Sequence, residues 1–534
     1  MGRPNVILIL ADDLGYSDLG CMGSEIRTPN LDALARDGAL MSAMYNCARC
    51  CPTRAALLTG LYPHRAGIGH MGANLGTPAY QGSLRRDAAT IAETLQAGGY
   101  RTLMSGKWHV GGDLMAREAD RWRPGAPGFP TPRQRGFDRF YGILDGVTHF
   151  FSPHFVMEDD TRVTSFGDDF YFTDAITDKA IGMVEDAAAE DAPFFLYLAH
   201  AAPHWPLHAP AEDIARYETA YRGGWDSIRT ARHEEMNGLG VLPATWDISP
   251  RDDQVRPWDS VEDRDWEAAK MAVYAAMVDR MDHSIGRLMA ALDRLGLRDD
   301  TLVLFLSDNG GCAEFMAEDG WAKFFPDRLA DGRQMTMGNV PGLLPGGPLS
   351  YQSYDRPWAN VSNAPFRLFK HYMHEGGIST PLIAHWPAGI TAPVRAHAPA
   401  HVVDILPTIL EVTGCPALDA LGDSAVQTTD GESILPALQG RPWARQAPIF
   451  FEHEGNAAVR AGAMKLVRRF GQDWELYDME IDRTELANLA GRGGATGRRL
   501  ASEYEAWATS IGVLPWDQAL PLLLAAWGMD SAEG

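Results

Sequence analysis

The sequence predicts an α/β fold: a large, mostly parallel sheet sandwiched by helices, with a smaller C-terminal α+β domain that carries an antiparallel sheet. Three observations lead there. Short, unbroken apolar runs at 5–10, 194–198 and 301–306 each end in a polar segment, the pattern of strands buried on both faces. A long helical pattern over 266–295, stopped by Gly296, separates the last two runs. From about residue 440 this alternation gives way to short apolar pieces separated by turns, as in an antiparallel meander.

Taken in order, the strand at 5–10 runs into Ala11-Asp12-Asp13-Leu14-Gly15. Two acids thus stand at the C-terminal end of a buried strand, where open α/β sheets place their sites. Helices are expected at about 30–37, 53–60 and 90–97, the last stopped by Gly98-Gly99. A strand at 100–104 leads into Ser105-Gly106-Lys107-Trp108-His109. The run at 194–198 leads into His200-Ala201-Ala202-Pro203-His204-Trp205-Pro206, and that at 301–306 into Ser307-Asp308-Asn309-Gly310-Gly311. Beyond a strand at 381–386 and a helix at 402–412, strands are expected at 448–451, 458–460, 464–467 and 474–477, then a helix at 495–509. This divides the chain into a catalytic α/β domain, 1–440, and a small C-terminal domain, 441–534. The apolar run at 520–527 either packs on the body or meets another subunit. Irregular stretches at 113–170, 205–262 and 313–363, rich in Gly, Pro and aromatics, are expected to rim the site.

The chain has 534 residues, enough for a large core with a satellite. Forty-seven basic residues against seventy acidic give a net charge of −23, which argues against nucleic acid or an anionic membrane surface as partner. No secretory signal and no membrane-spanning segment is evident, and six cysteines, three of them crowded at 47–51, do not form a disulfide framework. The expected location is cytoplasmic.

The chemistry centres on Cys50-Cys51-Pro52-Thr53-Arg54. Cys50 and Arg54 lie one helical turn apart, so a thiol at a helix N-terminus shares a face with a fixed cation, an arrangement suited to an anionic substrate. Cys47 and Cys50 also form a C-x-x-C, but no second ligand pair at zinc-like spacing follows. Asp12, Asp13, Asp308 and Asn309 offer hard oxygen ligands from two strand ends, a set suited to Ca²⁺ or Mg²⁺. Lys107 and His109, two apart at a strand end, point the same way if strand geometry persists.

These segments resemble the type I, formylglycine-dependent sulfatases, bacterial arylsulfatases in particular, within the alkaline phosphatase superfamily. The stretch at 50–54 resembles that family's C-x-P-x-R signature, with Thr53 where serine is usual. Gly-Lys-Trp-His at 106–109, Ala-Pro-His-Trp-Pro at 202–206 and the segment 363–377 resemble further family signatures, in family order. The resemblance implies an alkaline-phosphatase-like fold and hydrolysis of sulfate monoesters, aryl sulfates among them. It implies that Cys50, and neither Cys47 nor Cys51, is converted to 3-oxoalanine (formylglycine) by a formylglycine-generating enzyme, and that its hydrate attacks sulfur with help from Asp308. One divalent ion, Ca²⁺ or alternatively Mg²⁺, would sit on Asp12, Asp13, Asp308, Asn309 and the modified Cys50. Lys107, Lys370 and Arg54 would hold the sulfuryl oxygens, His204 would protonate the leaving group, and His109 would serve as base. His374 and Glu375 would support the site from outside. Because the chain is acidic overall, such a site must create its own positive field.

One rival is a formylglycine-dependent phosphonate monoester hydrolase or phosphodiesterase; those enzymes tend to have Asp-His where this chain has Asp308-Asn309. The other, an inactive anion-binding homologue, would have lost Cys50, Lys107 or the acids, and all are present.

Overall fold

Alternate residues of strand β1 (Asn5–Ala11) belong to different cores, which is why its sequence is apolar without a break. Ile7, Ile9 and Ala11 pack with helices Arg264–Leu295, Phe172–Ala189 and α1 (Pro29–Asp37), while Val6, Leu8 and Leu10 pack with α2 (Cys50–Thr59), Ile91–Ala97 and Ile405–Thr413. The computed structural model describes residues 3–112, 123–318 and 327–529.

The central sheet is built from β1, β2 (Ala39–Tyr45), β3 (Arg101–Lys107), β4 (Arg139–Ile143), β5 (Val156–Glu158), β6 (Thr161–Arg162), β7 (Phe194–Ala199), β8 (Thr301–Ser307) and the later strands Ser379–His385, Val394–Ala396 and Ala400–His401. From β8 through β1, β7 and β3 to β4 every pairing is parallel. Ser379–His385 runs antiparallel between β8 and β2. The register pairs Ala11 with Ser307, so the acids at 12–13 and the pair at 308–309 leave the same sheet edge side by side.

Three expectations need correction. Residues 39–45, not expected as a strand, form β2 directly after Gly38. The strand expected at 100–104 extends to Lys107, so that lysine belongs to the sheet and not to the segment after it. The stretches expected to be irregular contain regular elements, among them β4 and the helices Trp225–Gly238 and Asp355–Ser362; their parts at 113–122 and 319–326 lie outside the described residues.

The C-terminal sheet has four antiparallel strands in chain order, Ile449–His453, Asn456–Ala461, Met464–Arg468 and Glu475–Asp478. One face packs on Tyr45, Met373 and Ile378 of the body, the other under Leu500, Tyr504 and Ala508 of helix Gly494–Ile511. The tail helix Trp516–Ala526 lies against the body, with Ala519 and Leu523 on Ala73, Leu75, Ala79 and Tyr80.

A buried ionic cluster ties this sheet to the site-bearing body. Lys465 Nζ donates to Glu375 Oε1 at 2.8 Å and to Glu485 Oε1 at 2.7 Å, and Arg483 Nε donates to Glu375 Oε2 at 2.7 Å. Glu375 thus fixes the C-terminal sheet to the rest of the chain, while His374 turns to Glu475 at 3.4 Å. Lys465→Met should cost about 3–5 kcal/mol in urea unfolding, because buried Glu485 loses its cation and Glu375 keeps only Arg483. Burial raises the Glu375 pKa, but Lys465 and Arg483 outweigh it and bring it from 4.5 to about 2. A depressed carboxyl stabilises the fold above its ordinary pKa. That contribution is therefore present near neutrality and drains away as the pH falls from about 4.5 toward 2.

Candidate active site

The two acidic turns interlock where β1 and β8 end. Asp308 N donates to Ala11 O at 3.1 Å, Asp13 N to Asp308 Oδ1 at 3.2 Å, and Asn309 Nδ2 to Asp13 Oδ1 at 2.6 Å. Asp13 takes a left-handed conformation, φ 64°, which turns its side chain back over the strand ends. All four side chains are buried. Burial and the neighbouring charge of Asp12 raise the Asp308 pKa to about 6 against the opposing pull of Arg54 and Lys107. For Asp13 burial also pushes upward, but His204 and Lys370 prevail and hold it at about 2.

Helix α2 delivers Cys50 at its first position and is buried along its whole length, consistent with its small and apolar sequence. Its N-terminal turn is held by Thr53, whose hydroxyl accepts from Cys47 N at 2.9 Å, so the hydroxyl at this place has a structural use that threonine fulfils. The three clustered cysteines diverge. Cys47 Sγ lies 3.7 Å from His401 Nε2, and Cys51 Sγ donates to His109 O at 2.9 Å. Only Cys50 is set among Lys107, Lys370, Asp12 and Asp308; burial raises its thiol pKa while the two lysines pull it down. None of the six cysteines is in a disulfide, so Cys47 and Cys50 are not joined.

The basic residues meet the acids one to one. Lys107 Nζ donates to Asp12 Oδ2 at 2.6 Å, and Lys370 Nζ sits 2.9 Å from Asp13 Oδ1. Arg54 donates from Nη2 and Nε to Asp308 Oδ2 at 2.7 and 3.1 Å and from Nη1 to Lys107 O at 3.1 Å. All three of its nitrogens are therefore engaged within the protein, so Arg54 fixes Asp308 and the end of β3. Lys370 is brought in by the docking of 363–377 on the turn after β8. Gly310 N donates to Gly377 O at 3.0 Å, Lys370 N to Gly311 O at 3.2 Å, and a Cβ at Gly310 would stand 1.9 Å from Gly376 O.

The histidines arrive differently. His204 Nδ1 donates to Trp205 O at 2.7 Å, which leaves Nε2 facing Lys370 Nζ at 3.4 Å and Asp13 Oδ2 at 3.3 Å. Burial lowers its pKa to about 4 although Asp13 opposes this. His109 does not continue the strand. β3 ends at Lys107, and His109 reaches the site through a left-handed turn, φ 56°, with its ring against Gly146. Burial, with Lys107 and Arg54 adding to it, holds His109 well below its ordinary pKa, so it is neutral. Its Nδ1 is buried and has no hydrogen-bond partner among the described residues. Of the competing histidines, His208 Nε2 donates to Ser350 O at 2.7 Å, and buried His200 makes no side-chain hydrogen bond among the described residues.

The donor set fits a hard cation. Asp12 Oδ1 and Asn309 Oδ1 are buried without hydrogen-bond partners among the described residues, and Asp12, Asp13 and His204 offer ligand atoms within 4.8 Å of one another. Crowded carboxylates with uncommitted oxygens are the surroundings that Ca²⁺ or Mg²⁺ requires.

Three residues escaped the sequence reading: Arg49, Glu314 and His371. Arg49 Nη1 donates to Glu314 Oε1 at 2.8 Å, Trp205 Nε1 donates to Glu314 Oε2 at 2.9 Å, and His371 Nε2 lies 3.4 Å from Glu314 Oε1. Glu314 is held well below its ordinary pKa, since Lys370 and Arg49 outweigh the upward push of burial.

The chain is similar to several known proteins. A family model described as Sulfatase matches residues 4–415, and one described as N-sulphoglucosamine sulphohydrolase, C-terminal, matches 366–499. An uncharacterized sulfatase of Schizosaccharomyces pombe is 32% identical across 91% of this chain and 90% of its own length. An arylsulfatase of Klebsiella aerogenes is 34% identical across 84% of this chain and 94% of its own. The crystal structure of Ps i-CgsB in complex with k-i-k-neocarrahexaose is similar with a TM-score of 0.66 and 27% identity, covering 95% of this chain and 93% of the other.

Proposed function

This chain belongs to the sulfatase family, and we propose that the sulfate ester it hydrolyses is an aryl ester, cleaved at Cys50 after that residue's oxidation to formylglycine. The aryl assignment rests on the likeness to the K. aerogenes arylsulfatase. The observation that carries the rest is the placement of Cys50, alone among the clustered cysteines, between two lysines and the acids of two strand ends.

Asp12, Asp13, Asp308 and Asn309 would hold the divalent ion, for which calcium suits the all-oxygen set. When present, the ion supplies Lewis-acid polarisation at position 50, and the formylglycine hydrate supplies one hydroxyl to attack sulfur and a second whose loss of a proton releases sulfate. The residues of the chain do the remainder. Without an ion, four acids are matched by four cations, Asp12 with Lys107, Asp13 with Lys370, Asp308 with Arg54 and Glu314 with Arg49. A bound divalent ion leaves this set net positive, so an acidic protein can still receive an anion. Lys107 and Lys370, whose ammonium groups are mobile donors, turn toward the sulfuryl oxygens. Arg54 keeps Asp308 in place. His109, neutral and with no partner on Nδ1 among the described residues, takes the proton whose removal frees sulfate.

His204 donates to the departing oxygen. It is neutral in the resting site, and the negative charge of the substrate placed against Nε2 favours its protonation. His204→Ala should lower kcat by about 10²–10⁴-fold for an alkyl sulfate, and far less for a nitrophenyl sulfate whose leaving group needs no proton. Equal losses on both substrates would remove His204 from the leaving-group side. Maturation needs a partner, a formylglycine-generating enzyme, and since Cys50 is only 3% exposed that enzyme acts before the fold closes.

A further inference from the structure

We propose that His70, His453 and Glu454 form a second metal site, for Zn²⁺ or a similar first-row divalent ion, which staples the C-terminal sheet to the body. The reaction at Cys50 uses none of the three.

His453 ends the strand Ile449–His453, Glu454 follows in a left-handed turn with φ 53°, and His70 comes from the loop after the short helix Pro63–Ala66. Glu454 Oε1 lies 2.9 Å from His70 Nε2 and 3.5 Å from His453 Nε2, and the three ligand atoms all fall within 4.8 Å of one another. Around a tetrahedral ion with bonds of about 2.0–2.1 Å to nitrogen and oxygen, neighbouring ligand atoms stand about 3.3 Å apart. The two distances to the carboxylate oxygen are already close to this.

His70 Nε2 and Glu454 Oε1 already pair with each other, and the remaining ring nitrogens are uncommitted. His453 is completely buried, yet neither of its ring nitrogens makes a hydrogen bond among the described residues, and the same holds for Nδ1 of buried His70. Buried imidazoles without partners are costly unless something binds them. The two rings are nearly parallel, 11° apart with centroids at 5.1 Å, and Trp516 stacks on His70 at 5.5 Å, so His70 is packed between aromatic rings with its Nε2 on the carboxylate. An ion at this point would draw both Nε2 atoms to it by rotation of the His453 ring. Glu454, whose side chain is 25% exposed, gives the ion an entry and leaves room for water as a further ligand.

Two imidazoles and one carboxylate select a borderline ion, in contrast to the oxygen-rich set at Asp12 and Asp13. The second oxygen of Glu454 is 3.2 Å from His371 Nδ1, and the other ring nitrogen of His371 meets Arg49, the neighbour of Cys50. The site thus reaches the wall of the active site through one outer hydrogen bond.

The test is titration of the full-length, chelator-treated and Ca²⁺-saturated protein with Zn²⁺ by calorimetry and with Co²⁺ by visible absorption. One equivalent should bind, with a tetrahedral or five-coordinate Co²⁺ spectrum and a rise of the melting temperature under Zn²⁺. His70→Gln and His453→Gln should each weaken this binding at least about tenfold and cancel the melting shift. The proposal is overturned if the wild-type protein binds neither ion under Ca²⁺, a result that does not depend on any variant folding. It is equally overturned if binding persists in both histidine variants and disappears only with Asp12→Asn or Asp13→Asn.

Discussion

Cys50→Ser is expected to lower turnover of an aryl sulfate by on the order of 10⁵-fold or more, the scale seen when a covalent nucleophile is removed. Serine that stays an alcohol keeps one hydroxyl in place but has no aldehyde to hydrate, so the second hydroxyl that releases sulfate is missing. Cys47→Ser and Cys51→Ser should stay within about tenfold of wild type, because losing a buried thiol contact affects packing and not a reacting atom. The structure supports the contrast: Cys47 turns to His401 and Cys51 to the carbonyl of His109. Steady-state rates on purified variants with matched circular dichroism spectra measure it. A Cys51→Ser loss as deep as that of Cys50→Ser would move the nucleophile.

Lys370→Ala is expected to cut kcat by about 10³-fold, the loss found when one preorganised donor to a developing charge is deleted. Its ammonium is the cation nearest Asp13 and stands 3.4 Å from His204 Nε2, so it lies between the ion-binding acids and the leaving-group histidine. Unlike a surface lysine, it is buried, and burial would lower its pKa, yet Asp13 and the other anions around it raise it well above the ordinary value. The variant also leaves Asp13 without its cation, which should cost about 3–5 kcal/mol in the metal-free protein. Saturating Ca²⁺ should restore most of that stability and little of the rate. A variant that regains its rate together with its stability would show Lys370 to be structural.

What the sequence revealed about the site follows from where its residues lie. Asp12, Asp13, Asp308 and Asn309 stand directly after strands buried on both faces, and such strands announce themselves by unbroken apolar runs. Their C-terminal ends are then the only places on those segments for polar chemistry. Cys50 and Arg54 were legible because helical spacing is local. Arg54 shows the limit of that logic, since the pattern suggested contact with the sulfuryl group while the fold turns all its nitrogens to Asp308 and Lys107. Arg49, Glu314 and His371 carried no signal, because Arg49 and Glu314 meet across 265 residues of chain. β2 was missed for a physical reason: Ala, Met and Ser in 39–45 suit helix as well as strand, and only the sheet around it decides. The direction of Ser379–His385 was equally invisible, since an apolar run reads the same whether its neighbours run with it or against it.

The most direct test of the account is mass spectrometry of the peptide that spans residue 50, taken from enzyme of measured activity on an aryl sulfate and on the matching aryl phosphonate. The account predicts that activity rises in proportion to the fraction of Cys50 converted from thiol to aldehyde, with Cys47 and Cys51 unchanged, and that the sulfate is the faster substrate. Full activity in a preparation whose Cys50 is an intact thiol would contradict it.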